Sequence, residues 1–324
     1  MSKRKSIIVM LAAVALAISA SHAWAQYTFQ SFDGPNSSAG TTANGINNNG
    51  QIVGFSVDNS DNATNWWRNP NGTFHVLNLP IGSFANGINT TPTVVGQNGE
   101  TAYSYTGSTL TTLPSVNGTT TSQVAFGVND GGWIVGQYTD SNTGTSPGFV
   151  YNGSNFTTLN PVPNATNTFA QGINNHGLVA GFYSTDGGVT SHGFFYNTTT
   201  TAFILAADPN VPNFVFSQIL GINNHNTAVG YYGDTSTSQF GFIYNPVTQS
   251  YLILSDPNAA NINGVSITQI TGIDNAGEIT GFYIGADGLS HGFYATPTPE
   301  PSSWLLMGSG ALGLLGVIRR KLLA

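Results

Sequence analysis

One phrase is written six times along this chain, and few folds can use it. It opens as ANGINNNGQIVGFS at residues 43–56 and returns as ANGINTTPTVVGQN, AFGVNDGGWIVGQY, AQGINNHGLVAGFY, ILGINNHNTAVGYY and ITGIDNAGEITGFY. Each copy reads as a β-hairpin: an apolar start, an Asn/Gly turn, then an apolar run. The first glycine falls at Gly45, Gly87, Gly127, Gly172, Gly221 and Gly272, and the second nine residues later at Gly54, Gly96, Gly136, Gly181, Gly230 and Gly281. Rigid spacing inside each copy, with 40 to 51 residues between copies, marks a fixed hairpin with insertions confined to loops. Between the glycines, Asn47, Asn89, Asn129, Asn174, Asn223 and Asp274 start the turn, where a short polar side chain bonds its own backbone.

Two more strand-like pieces follow each hairpin, clearest in PGFVYNGSNFTTLNPV, HGFFYNTTTTAFILAADP and FGFIYNPVTQSYLILSDP. Residues two apart share a strand face, so Phe149 with Tyr151, Phe194 with Tyr196 and Phe242 with Tyr244 predict repeated core layers. Four short strands per repeat fit a β-propeller blade better than a parallel β-helix, whose turns are shorter. The last repeat stops after its third strand, at HGFYATP, while YTFQSFDGPNSS near the start matches a fourth strand. Tyr27 to Asp33 are therefore expected to complete the blade begun at Gly272. The prediction is an all-β, six-bladed propeller of four-stranded blades over residues 26–296, closed by its N-terminal strand so that no open edge remains.

Charge limits what such a body can bind. The 324 residues include no cysteine, which excludes disulfides, and seven basic residues. Lys3, Arg4 and Lys5 open the chain and Arg319, Arg320 and Lys321 nearly close it, leaving Arg68 alone between them. One arginine cannot neutralise a phosphate backbone, so no nucleic-acid partner is expected. The first residues have the parts of a secretory signal helix: basic KRK, an apolar run from Ile7 to Ile18, and small residues Ala23 and Ala25 flanking Trp24. Residues 1–25 are read as a signal peptide removed by signal peptidase; an uncleaved anchor would need the ~20 apolar residues of a full span.

The other end, TPTPEPSSWLLMGSGALGLLGVIRRKLLA, joins a Pro/Thr linker to Pro299-Glu300-Pro301, an apolar stretch from Trp304 to Ile318, and a basic cluster led by Arg319 and Arg320. Residues 297–324 resemble the PEP-CTERM sorting tail, which has these three parts in this order. The resemblance implies recognition near Pro299 by an exosortase, and a C-terminal transmembrane helix held by the positive-inside rule with the body outside the membrane. The glycine-framed repeats with recurring GF also resemble extracellular HAF-repeat proteins, although NWWR and TAYSY replace the GF phrase in the first two repeats. Together these imply an exported protein of the cell envelope, outer surface or medium, transiently anchored through its C-terminus.

Several apparent motifs carry no chemistry. The G-x-G-x-x-G at 308–313 lies in the apolar tail without a βαβ context, and the G-x-S-x-G at 144–148 precedes a strand rather than a helix. Asp140, Asp186, Asp234 and Asp287 recur in loops and are read as turn residues rather than calcium ligands. His192 and His291 occupy equivalent places in repeats four and six, and His176 and His225 lie in hairpin turns. No metal site or cofactor is assigned to them. Residues that break the repeat are better candidates. Trp66 replaces a core Phe. Trp67 faces the other way, available to stack on a sugar or to pack between blades. Arg68 replaces the repeated Tyr, available to pair with an acid or to hold a ligand. Trp133 is a further exception, and Glu100 and Glu278 serve a glycosidase only if the fold brings them together. No catalytic residue is assigned, so the expected function is a binding or structural propeller, associated with extracellular polysaccharide through Trp67 and Arg68. A carbohydrate-active enzyme and an adhesive matrix protein are the alternatives.

Overall fold

The computed structural model describes residues 26–298, all strand, turn or loop. Phe29–Thr296 forms one compact unit. The six sheets each contain four antiparallel strands. In blade one the strands are Gly40–Ile46, Ile52–Val57, Ala63–Arg68 and Phe74–Val76, from the propeller axis outward. Blade six takes its inner three strands, Thr268–Ile273, Ile279–Ile284 and Ser290–Thr298, from the end of the body, and its outer strand, Gln26–Phe32, from the beginning. The six blades and their end-joining closure are as the repeats predict. The expected signal helix, and the sorting residues Pro299, Glu300, Pro301, Arg319 and Arg320 with their transmembrane helix, lie outside the described residues. Among the described residues no helix is long and apolar enough to cross a membrane.

The two glycine positions have different structural causes. The first lies on the inner strand at the axis, immediately after a one-residue bulge, for example between Ala43 and Gly45. A Cβ there would lie 2.5–3.2 Å from the backbone of the next blade in all six cases, so only glycine lets six inner strands converge. The second pairs across the sheet with the central aromatic of the third strand: Gly54 with Trp66, Gly96 with Tyr103, Gly136 with Phe149, Gly181 with Phe194, Gly230 with Phe242 and Gly281 with Phe293. Each of these rings lies over its glycine and is at most 1% exposed. Trp66 is thus a core residue filling the repeated Phe position, as the sequence indicates. The apolar core lies between neighbouring blades. One such layer joins Val135 and Val150 of blade three to Ala170, Val179 and Phe194 of blade four.

Candidate functional site

The inner strands enclose a channel whose two mouths differ in chemistry. At the hairpin-turn mouth, each Asn that starts a turn accepts backbone N–H groups with Oδ1, as Asn174 does from His176 and Leu178 at 3.0 Å. Its Nδ2 then donates to the backbone carbonyl of the equivalent residue in the next blade. These bonds run from Asn47 to Asn89, Asn89 to Asn129, Asn129 to Asn174, Asn174 to Asn223 and Asn223 to Asp274, at 2.8–3.1 Å. The following residues form an outer circuit: the N–H groups of Asp130, Asn175, Asn224 and Asn275 donate to the side chains of Asn175, Asn224, Asn275 and Asn48 at 2.8–2.9 Å. Turn chemistry accounts for half of what these residues do. The inter-blade half is invisible in any single repeat.

The opposite mouth widens into a funnel lined by residues that precede the first glycine: Asn44, Asn86, Phe126, Gln171, Leu220 and Thr271, with Gln269 and Phe282 of blade six. Its cavity volume is about 190 Å³, room for one sugar-sized ring. Asn44 and Asn86 donate to the Ala85 and Ala125 carbonyls at 2.9 Å, and Gln269 to Gln239 at 2.6 Å. Among the described residues the Gln171 amide makes no side-chain hydrogen bond. Phe126 lies 6.2 Å from Phe169, on the same strand as Gln171, and Phe169 stacks on Phe182 at 4.4 Å. No charged side chain lines the funnel among the described residues. The sequence signal for this site is a position that varies within an otherwise rigid phrase, just before the first glycine.

The residues singled out by sequence lie elsewhere. Trp67 packs against the Val53, Ala85 and Tyr103 layer between blades one and two, with its ring 4.9 Å from His75. Arg68 lies 4.8 Å over the Phe32 ring, a cation–π contact at the seam between blades six and one. Burial lowers its pKa, opposed by Tyr294. Trp133 packs against the layer between blades three and four. Glu100 lies in a loop between second and third strands and Glu278 follows a hairpin turn, so they fall on opposite faces and form no glycosidase pair.

The acidic loop residues behave as turn residues. Asp186 accepts from the Thr190 backbone at 3.0 Å and from Ser184, bonds that hold its carboxyl well below the usual range. Asp140, Asp234 and Asp287 likewise accept from backbone N–H groups two residues on. His192 pairs with Asp208 and His291 with Asp33, both at 2.8 Å. Burial opposes the charge on His291, yet bonds to Asp287 and Asp33 outweigh it and raise its pKa. Blade five has Phe240 in that place, and the equivalent Asp256, 2% exposed, keeps an unpartnered Oδ2 and a pKa raised by burial.

Residues 297–321 match the PEP-CTERM protein-sorting motif. The motif marks an exported, cell-surface-directed protein and implies exosortase processing and membrane association. No curated protein sequence matches this chain. Among solved structures, TolB from Acinetobacter baumannii superposes with a TM-score of 0.51 at 10% identity, over 67% of this chain and 54% of its own, so the match spans about half of TolB. A variant of the Aleuria aurantia lectin in complex with Fucα1-6GlcNAc gives 0.48 at 12% identity, over 83% of this chain and 100% of the lectin. Oligogalacturonate lyase from Vibrio parahaemolyticus gives 0.48 at 12% identity, over 86% and 99%. At these identities the likeness is one of fold.

Proposed function

We propose that the protein is a surface-displayed binding module, not an enzyme, and that it takes a neutral extracellular polysaccharide in the axial funnel. The observation that carries this reading is the uncommitted Gln171 amide beside Phe126, Leu220 and Phe282 in an uncharged concavity. A sugar presents hydroxyls to an amide and C–H faces to aromatic rings, and no charge in the funnel selects an ionic ligand. Binding of one chain segment is weak, and display of many copies on a surface supplies avidity. Export through an N-terminal signal and sorting by exosortase deliver the propeller to where such polymers lie.

A second reading places the sugar on Trp67 and Arg68, favoured by the partial exposure of both side chains. Binding of neutral glucan, xylan and mannan oligosaccharides separates the two. The funnel reading expects Gln171→Ala and Phe126→Ala to reduce affinity at least tenfold while Trp67→Ala retains it. The reverse pattern moves the site to blade one, and absence of binding to every neutral glycan overturns the reading. Release of reducing ends during incubation would instead identify a carbohydrate-active enzyme.

A further inference from the structure

The asparagine ring at the hairpin-turn mouth is complete at five seams and chemically altered at the sixth. Five side chains are amides with a donor to spare for the next blade. At the seam between blade six and blade one the ring position is Asp274, whose ionised carboxylate accepts hydrogen bonds but donates none. The two contacts that bracket it keep the register of the other seams. Thr271 Oγ1 donates to the Ala43 carbonyl at 2.8 Å, and the Asn275 N–H donates to Asn48 Oδ1 at 2.9 Å. Asp274 Oδ1 also accepts the Glu278 N–H at 2.8 Å, the turn bond that the asparagines make. By analogy with the five amides, the retained register and turn bond direct the second carboxyl oxygen toward the Asn47 carbonyl.

Two acceptors facing one another repel unless a proton lies between them. Asp274 is 4% exposed, so water does little to relieve that repulsion. We propose that Asp274 closes the ring as a neutral carboxylic acid donating to the Asn47 carbonyl, which makes the seam between blades six and one a proton-operated latch. The ionisable groups facing it are Glu278 from its own hairpin and Tyr294 from the third strand of its blade, with Arg68 of blade one acting on Tyr294. Blade five presents the neutral Asn223, and blade one the neutral Asn47 and Asn48. Burial first, then the negative charge of Glu278 and a hydrogen bond shared with its carboxyl, push the Asp274 carboxyl up to about 6, against the Glu278 and Ala276 backbone N–H groups, which lower it. A folded-state pKa raised above 3.8 stabilises fully below that value and loses its contribution as pH rises through about 6. The latch is thus shut in mildly acidic surroundings and slack above neutrality, at the seam where the two ends of the ring meet.

The test is thermal unfolding of the full chain between pH 5 and 8. Parent, Asp274→Asn and Glu278→Gln forms are compared in a His291→Gln background, because His291 contributes a slope of the same sign. The parent is expected to lose several degrees of melting temperature as pH rises. Asp274→Asn, which completes six amides, should flatten that slope and melt above the parent at pH 8. Glu278→Gln should move the slope to lower pH. An Asp274→Asn form that keeps the parent's slope, or melts below it at pH 8, overturns the latch. If that variant does not fold, a carboxyl carbon titration of Asp274 near pH 6 in the parent supports the latch, and one near 4 refutes it. A melting temperature governed by added calcium or a chelator and indifferent to pH would assign the seam to a cation instead.

Discussion

The two mouths of the channel are built from the same six inner strands, yet one repeats a single committed side chain at almost every blade and the other mixes committed amides with apolar side chains and the uncommitted Gln171 amide. At the hairpin-turn mouth, five asparagine amides are bonded both to their own turns and to the next blade. At the funnel mouth, the Gln171 amide has no hydrogen-bond partner among the described residues, and Phe126, Leu220 and Phe282 line the cavity. The regular end joins neighbouring blades at each of five seams, whereas at the irregular end Asn44, Asn86 and Thr271 make such bonds and Phe126, Gln171 and Leu220 vary the lining.

The largest effect expected on that division comes from removing what closes the ring. Deleting Tyr27 to Asp33 strips blade six of nearly all of its outer strand and of the Asp33 partner of His291. It should abolish cooperative unfolding altogether, as followed by circular dichroism. Trp66→Ala belongs to neither mouth and calibrates the core between them. Its fully buried indole should cost ~3–5 kcal/mol in urea unfolding. Asn174→Ala loses two turn bonds and leaves the Asn223 carbonyl without its donor, for about 2–3 kcal/mol in the same measurement.

Smaller effects separate the mouths further. His291 ties Asp33 and Asp287 together. With its pKa raised, that contribution is full below the unfolded value and fades as pH rises through the folded one. His291→Gln should therefore lower the melting temperature at pH 5.5 and change it little at pH 8.5. Gln171→Ala, with no bond to lose, should stay within ~0.5 kcal/mol of the parent in stability. If Gln171→Ala destabilises as much as Asn174→Ala, the division between a committed Asn174 amide and an uncommitted Gln171 amide fails.

The ring of six blades is legible in the sequence because its causes repeat: glycine where strands converge, an aromatic over the second glycine, asparagine at each turn. Closure by Gln26–Phe32 is legible because the last repeat lacks what the chain start supplies. The inter-blade bonds of Asn47 and its equivalents are not, since partners 40 to 51 residues apart are joined only once the ring exists. Irregularity in the sequence also has a packing cause. Trp67 and Arg68 stand out from the repeat, and position 67 faces the next blade, where packing covers part of the indole. Gln171 attracts no notice as a residue type, and only its place beside the axial glycine makes it a candidate. Glu278 looks like half of a catalytic pair, yet the fold places it beside Asp274, on the opposite face from Glu100.

The most direct test of a ligand-binding funnel is a crystal structure of the protein with the neutral oligosaccharide that it binds most tightly. The expected result is a sugar ring against Phe126 with a hydroxyl on the Gln171 amide, and an unaltered asparagine ring at the other mouth. A sugar at the Asn48 and Asp130 mouth, or on Trp67 and Arg68 with the funnel empty, would contradict it.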